Sequence, residues 1–252
     1  MLNKNLDFEK IKNEYKDKRR IIISDFLDKN IAEHVYKGFL NLTEKNLWYQ
    51  SNFGNHRYFD KNMKGMESAS VHFTYKFEKY PITNFKLSYL LDADCRRKKV
   101  TNLRPVDKDH PEKELSETHP LRKIGNMINS RQFHDLITLI TGYKLTYDMS
   151  YCFASRYTAD DYMGAHSDGG LPRRVGYVLN MTKHWLVHWG GDMVILDHTY
   201  KNVVEDYTPS FNNLILFDVP LPHAVLPVSI YCQSDRYAFT GWFFDYSQHR
   251  RC

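Results

Sequence analysis

The chain has 252 residues, of which 42% are apolar and 15% are aromatic. That supply of apolar side chains is enough for a substantial core, so the composition excludes a wholly disordered protein. The formal net charge of +5 is a mild basic excess, and the densest basic run is CRRKKV (Cys95–Val100). Since no DNA- or RNA-binding motif accompanies it, we interpret the polar segment 96–120 as a solvated loop and expect no nucleic-acid partner. A docking loop for a macromolecule is the alternative.

The N-terminal segment MLNKNLDFEKIKNEYKDKRR carries too many charges for a signal peptide, and no apolar run approaches the length of a membrane span. The four cysteines are widely spaced and form no CxxC pair, so neither a zinc knuckle nor a disulfide framework is indicated. We therefore expect a cytoplasmic protein without a membrane partner. The sequence does not indicate an oligomeric state.

The first part of the chain, residues 1–143, is predicted to be mainly helical. A charged helix fits LDFEKIKNEYKDKRR, and IIISDFLDKNIAEHVYKGFLNL fits a short strand followed by an amphipathic helix, with Asp28 or Asn30 as its N-cap. Further helices fit residues 81–94, 119–130 and 130–144. The last of them is expected to end at Gly142, because glycine favours the left-handed backbone of a C-cap.

After Lys144 the hydrophobic period changes from helical to alternating. LTYDMSYCFASRY alternates apolar and polar side chains, which is typical of a strand with one buried face. Short β-rich runs follow it: RVGYVLNM, DMVILD, NNLILFDV, HAVLPVSI and RYAFTGWFF. Strands that follow helices predict an α+β fold, with an antiparallel sandwich or barrel that has the helices packed on one face. We expect one domain over residues 1–252, whose residues 144–246 form the β core.

His166 and Asp168 in the stretch YTADDYMGAHSDGG are candidate metal ligands. On an extended segment residues i and i+2 project from the same face, so the two side chains can take adjacent positions on one cation. HxD alone is a weak pattern. His223 in VPLPHAVLPV offers a third ligand, because it begins an apolar strand, although a hydrogen-bonded histidine at a strand edge is equally compatible with the sequence.

Arg236 heads the otherwise apolar strand RYAFTGWFF, where alternation places it on one face with Thr240 and Trp242. A buried guanidinium requires an anionic partner, and a dicarboxylate ligand suits its bidentate geometry. An internal salt bridge to Asp or Glu is the alternative explanation.

This order of His, Asp, His and Arg on strands resembles the iron(II)/2-oxoglutarate oxygenases, whose two histidines and one carboxylate form a facial triad. RYTADDYMGAHSD resembles the Y-x-x-G-(D/Q)-x-x-x-x-H-x-D segment of their prolyl 4-hydroxylase-like branch. RRVGYVLNMTKHWLVHWGGDMVIL resembles its Y-x-L-N…W…GG-x-L hairpin, and RYAFTGWFF its closing strand. The resemblance is strongest over residues 141–244.

The resemblance implies a double-stranded β-helix (jelly-roll, cupin-like) core with Fe(2+), 2-oxoglutarate and O2 as cofactors. It implies His166, Asp168 and His223 as the iron ligands and Arg236 as the partner of the distal carboxylate of 2-oxoglutarate. Cosubstrate contacts are further implied for three residues: Thr240, Tyr157 and Tyr177. Aromatic packing inside the barrel explains both tyrosines equally well.

The implied activity is a dioxygenase that hydroxylates an aliphatic C–H bond of an amino-acid side chain, free or in a peptide or protein, and releases succinate and CO2. Halogenating relatives lack the carboxylate, so the presence of Asp168 favours hydroxylation. Two alternatives stay open: a non-catalytic metal-binding cupin-like module and a protein-interaction domain. His184 and His188, four residues apart, would bind zinc together on a helix, but a Gly-Gly follows and we expect hairpin packing instead.

Overall fold

The computed structural model describes residues 1–45, 49–53, 66–73, 116, 118–146, 150–169 and 173–245. The α-helices in these ranges are α1 (Phe8–Lys18), α2 (Lys29–Glu44), α3 (Pro120–Ile128) and α4 (Arg131–Thr141). The strands are β1 (Arg20–Ile23), β2 (Tyr49–Phe53), β3 (Met66–Phe73), β4 (Ser150–Tyr157), β5 (Met163–His166), β6 (Arg173–Asn180), β7 (Met193–Leu196), β8 (Val203–Tyr207), β9 (Asn213–Asp218), β10 (His223–Val225) and β11 (Arg236–Phe244).

The helix ends follow local capping chemistry. The Asp28 carboxylate accepts hydrogen bonds from the Asn30 and Ile31 amides, so Asp28 is the N-cap of α2. Helix α4 ends at Gly142, which adopts a φ of 73°, and this confirms the predicted C-cap. The helix predicted over residues 81–94 lies outside the described residues.

The strands form two antiparallel sheets. The large sheet has the order β1-β9-β6-β11-β4-β3-β2, and the small sheet has the order β5-β10-β7-β8. Met193 and Ile195 of β7 pack in one buried cluster with Ile215 and Phe217 of β9, so the two sheets face each other across an apolar interior. The predicted α+β class with a double-stranded β-helix core is thus confirmed.

The helices cover the other face of the large sheet. One buried cluster contains side chains of all four helices together with outward-facing residues of the sheet, such as Cys152, Val175 and Phe239. Within the described residues, no helix is long and apolar enough to cross a membrane.

The strand predictions were incomplete both in the first part of the chain and in the β core. The region up to residue 143, predicted to be mainly helical, also contains β2 and β3, which extend the large sheet beyond β4. Strands β5 and β8 were not predicted. The run predicted as a strand over residues 223–230 is a strand only over His223–Val225, because Pro227 follows and cannot donate to a ladder.

Gly176 is a tight packing point between β6 and β9. A Cβ atom at this position would lie 2.5 Å from Cε2 and Cζ of Phe217, whose side chain is buried. We expect Gly176→Ala to lower the free energy of unfolding by about 1–3 kcal/mol, because an added methyl group overpacks the interior. Urea unfolding measures the loss, and adding Phe217→Leu should recover part of it. Equal stability of Gly176→Ala and the wild type would contradict this packing.

Candidate metal and anion site

Three potential metal ligands meet at one end of the small sheet. His166 ends β5 and His223 begins β10, and the two residues are register partners in this antiparallel pair. Asp168 follows β5 with a φ of 56°, in the left-handed region that few residues other than glycine adopt. This turn directs the Asp168 carboxylate toward both histidines.

The ligand atoms of these residues lie within 4.8 Å of one another. His166 Nε2 is 3.5 Å from Asp168 Oδ1, and His223 Nε2 is 3.5 Å from Asp168 Oδ2. The side chains are 19% exposed for His166 and 7% for both Asp168 and His223, so the cluster is largely shielded from water. It is the one group of this kind within the described parts of the chain.

Backbone carbonyls fix the orientation of both imidazole rings. Nδ1 of His166 lies 2.8 Å from the Gly164 carbonyl oxygen, and Nδ1 of His223 lies 2.7 Å from that of Leu221. A carbonyl only accepts hydrogen bonds, so each Nδ1 carries the proton and donates it. The lone pair of each Nε2 is then directed into the cluster, as metal binding requires.

The electrostatics favour a neutral histidine beside an ionised carboxylate. Burial, and then the neighbouring His223, lower the pKa of His166 to about 4. Burial alone would raise the pKa of Asp168, but His166, His223 and Arg173 together lower it below its usual value. Both side chains are therefore in their metal-binding protonation states near neutral pH.

Arg173, at the start of β6, contacts the carboxylate from the large sheet. Its Nη1 lies 3.3 Å from Asp168 Oδ1, and its guanidinium carbon lies 3.5 Å from the ring centroid of Trp242 on β11. Arg173 was not among the site residues predicted from the sequence. The two arginines of PRRV carry no pattern that tells which of them faces the interior.

Arg236 lies within the sandwich at the start of β11 and is 2% exposed. Its Nε is buried without a hydrogen-bond partner, and no carboxylate of the described residues forms an ion pair with its guanidinium. Burial lowers its pKa, and the nearby Tyr157 and Asp192 offset this only in part. Burying a cation without a partner costs free energy, so we expect this side chain to bind an anion that is not part of the chain.

Tyr157 and Thr240 lie on the same face of the large sheet as Arg236. Tyr157 is the register partner of Arg236, whose guanidinium carbon lies 5.0 Å from the Tyr157 ring centroid. The Thr240 hydroxyl donates to the Tyr177 carbonyl oxygen at 3.0 Å, so its proton is already used within the sheet. The Thr240 hydroxyl oxygen can therefore accept a hydrogen bond from a ligand but has no proton left to donate to it.

Tyr177 lies on the opposite face of the large sheet. It is buried in the cluster between sheet and helices, where its ring centroid is 5.3 Å from that of Phe243. The inward-facing residue at this point of β6 is Val178, which packs against the interior cluster. Since strand neighbours point to opposite faces, the structure does not bring Tyr177 to the site.

The pair His184 and His188 does not lie on a common helix. Only Val187–Trp189 are helical in this segment, as a short 3₁₀ helix, and His184 has a φ of 56°. The segment packs through its aromatic rings, with Trp185 and Trp189 centroids 5.5 Å apart and Trp189 6.2 Å from His188. The helical i, i+4 arrangement in which the two histidines would bind zinc together is therefore not present in this segment.

The residues present fit both an iron ion and a dicarboxylate. Two imidazole nitrogens and one carboxylate are the donor set of a facial iron triad, which leaves coordination positions open. The guanidinium of Arg236, which has no ion pair within the described ranges, supplies the bidentate fork that binds a carboxylate. The fit thus rests on the donor chemistry and on a buried cation for which the described part of the chain offers no ion-pair partner.

The sequence of residues 152–244 matches the family described as the 2OG-Fe(II) oxygenase superfamily. A comparison with curated proteins found no match. Among solved structures, a Pseudomonas putida prolyl-4-hydroxylase shares the fold with a TM-score of 0.61 at 14% identity, covering 94% of this chain and 99% of that one.

Two further structures extend the comparison. A Trichoplax adhaerens prolyl hydroxylase, solved in complex with a peptide of a hypoxia inducible factor oxygen degradation domain, has a TM-score of 0.58 at 19% identity and covers 94% of this chain and 89% of its own. A non-heme α-ketoglutarate-dependent carbocyclase from nogalamycin biosynthesis has a TM-score of 0.54 at 10% identity and covers 97% and 86%. The family match and the shared fold confirm that this chain resembles the Fe(II)/2-oxoglutarate oxygenases of the prolyl 4-hydroxylase-like branch, whose cofactors are Fe(2+), 2-oxoglutarate and O2.

Proposed function

We propose that this protein is an Fe(II)- and 2-oxoglutarate-dependent dioxygenase that hydroxylates an aliphatic C–H bond of an amino-acid side chain. The substrate is an amino acid, free or within a peptide or protein, and the coproducts are succinate and CO2. The observation that carries the proposal is the largely buried group His166, Asp168 and His223 in the same sandwich as Arg236, a buried cation that forms no ion pair with any described residue. A metal-binding module without oxygenase activity would have no use for that cation.

In this proposal each side chain has a separate task. His166 and His223 bind the metal through Nε2, and Asp168 binds it through its carboxylate and supplies the negative charge. Arg236, with Tyr157 beside it, binds the distal carboxylate of 2-oxoglutarate. The bound iron, with 2-oxoglutarate and O2, supplies the oxidising chemistry. The apolar interior around Phe217 and Ile195 excludes water from it.

The similar structures support the amino-acid substrate, and the Asp168 carboxylate supports hydroxylation. Two of the similar structures are prolyl hydroxylases, one of them with a bound peptide. Asp168 occupies the ligand position that would otherwise be open to a halide, which favours hydroxylation. We further propose that residues 1–252 act as a single oxygenase domain, in which β1 pairs with β9 of the core.

Thermal-shift titration distinguishes this function from its alternatives. A ligand that binds only the folded state stabilises it by about 2.7 kcal/mol at a concentration of 100 times its Kd. We expect Mn(II) to raise the melting temperature and 2-oxoglutarate to raise it further only when Mn(II) is present. A shift with Mn(II) alone would instead indicate a metal-binding module, and no shift with either would indicate an interaction domain.

A succinate-release screen then tests the reaction and the substrate class. Purified protein with Fe(II) and 2-oxoglutarate is incubated with free amino acids and with proline-containing peptides. We expect at least one compound to raise succinate formation above the uncoupled rate and to gain the mass of one oxygen atom. Cosubstrate binding without stimulation by any member of the set would refute the amino-acid assignment but not the cofactor assignment.

A further inference from the structure

Arg173 is the one side chain of the large sheet that forms an ion pair with the Asp168 carboxylate among the described residues. The carboxylate lies beyond the end of β5, in a turn with a positive φ, whereas Arg173 begins β6 of the opposing sheet. Their side chains are only 7% and 12% exposed, so water screens the pair weakly. The contact therefore joins the two sheets at the metal site.

Trp242 holds the guanidinium in place. The guanidinium carbon of Arg173 lies 3.5 Å from the Trp242 ring centroid, which is a close stacking contact. Trp242 in turn packs against Phe153 of β4, with ring centroids 6.2 Å apart. The guanidinium is thus fixed between an aromatic face and the carboxylate, and little side-chain freedom is left to lose when a metal binds.

The two carboxylate oxygens of Asp168 have different surroundings. Oδ1 faces His166 Nε2 at 3.5 Å and Arg173 Nη1 at 3.3 Å, whereas Oδ2 faces His223 Nε2 at 3.5 Å. A hydrogen bond from Arg173 to Oδ1 fixes the rotation of the carboxylate and leaves Oδ2 for the metal. The two histidines do not depend on a side chain for their orientation, because each donates its Nδ1–H to a backbone carbonyl of its own segment.

We infer that Arg173, stacked on Trp242, is a positioning residue that orients Asp168 for metal binding. The inference rests on the proposed function, because it assigns Arg173 a role toward the metal of that site. Two effects of opposite sign compete here. The positive charge of Arg173 repels a cation, but its hydrogen bond orients the carboxylate, and partners of this kind are worth about 10–100-fold in metal affinity. We expect orientation to dominate, since the charge is paired with Asp168.

The test is Mn(II) binding to the metal-free protein, measured by electron paramagnetic resonance of the free ion without any turnover. Arg173→Gln should weaken Mn(II) binding about 10-fold or more. Arg173→Lys, which keeps the charge but loses the planar fork, should be weakened less. The matched control is Arg174→Gln, because Arg174 faces the opposite side of β6, with its guanidinium carbon 3.9 Å from the Tyr143 ring centroid. Its Mn(II) affinity should equal that of the wild type.

The outcomes separate the inference from the proposed function. Unchanged or tighter Mn(II) binding by Arg173→Gln, or equal weakening by Arg174→Gln, would overturn the positioning role. Wild-type protein that binds no Mn(II) would instead overturn the proposed function. If Arg173→Gln fails to fold, as judged by circular dichroism, Arg173→Lys decides: wild-type affinity would refute the role and several-fold weaker binding would support it.

Discussion

Replacing Asp168 with alanine should abolish succinate formation and weaken Mn(II) binding by more than about 100-fold. The carboxylate is the one anionic ligand of the group formed with His166 and His223, and even indirect partners of metal ligands are worth about 10–100-fold. Succinate release in the presence of Fe(II), 2-oxoglutarate and substrate measures the first effect. Titration with Mn(II) measures the second.

A second variant is needed because the backbone of Asp168 lies in the left-handed region. Asp168 has a φ of 56°, which alanine tolerates poorly and glycine adopts freely, so Asp168→Gly removes the carboxylate without adding strain. Asp206→Ala is the control, because Asp206 is exposed on β8 of the same small sheet. Undiminished turnover by Asp168→Gly would refute the iron-site assignment, whereas a loss in Asp206→Ala would point to general damage.

Arg236→Met should leave the metal site intact but raise the KM for 2-oxoglutarate on the order of 100-fold. Truncating one partner of a buried charge pair costs about 2–5 kcal/mol, and about 2.7 kcal/mol corresponds to 100-fold in affinity. The variant should also lose the additional thermal shift that 2-oxoglutarate produces with Mn(II). Initial rates at varied 2-oxoglutarate concentrations and thermal shifts measure the two effects.

The unliganded stability of this variant provides an independent check. Because the Arg236 guanidinium is buried without an anionic partner among the described residues, methionine should leave the melting temperature of the ligand-free protein unchanged or raise it. Arg156→Met is the control, since Arg156 pairs with Asp235 at 2.7 Å and is half-buried. It should lose stability and keep the wild-type KM. A marked fall in the ligand-free stability of Arg236→Met would indicate an internal salt bridge instead.

The three candidate metal ligands could be selected from the sequence by their chemistry and by their positions in or next to predicted strands. The sequence predicted a shared face for His166 and Asp168 on an extended segment, whereas in the structure β5 ends at His166 and a turn with a φ of 56° brings Asp168 to the histidines. His223 begins an apolar strand, where a solvent-facing histidine is unusual. Arg236 was predictable for a similar reason, since a cation at the head of an apolar strand must be paired or bound to an anion. The structure brings the first three together and buries Arg236 at the start of β11, and the roles assigned to the four residues stay predictions.

The face of the sheet on which a side chain lies was harder to predict than the position of the strand in the sequence. Strand β6 is central, and both of its faces are buried, so Tyr177 and Val178 are both apolar and the alternation of polarity that reveals an inward face is missing. For the same reason the polarity of the sequence could not show that Arg173 faces the interior, since its neighbour Arg174 has an identical side chain. Strands β5 and β8 escaped prediction because they are four and five residues long and contain polar residues.

The hydrogen bonds at the two Nδ1 atoms imply an uneven mutational sensitivity around the proposed metal site. Each histidine is oriented by a main-chain oxygen two residues before it, at Gly164 or Leu221, and a side-chain substitution cannot delete a main-chain oxygen. Asp168 instead depends on a side chain from the opposite sheet. Random mutagenesis should therefore damage metal binding through neighbours of the carboxylate far more often than through neighbours of the imidazoles.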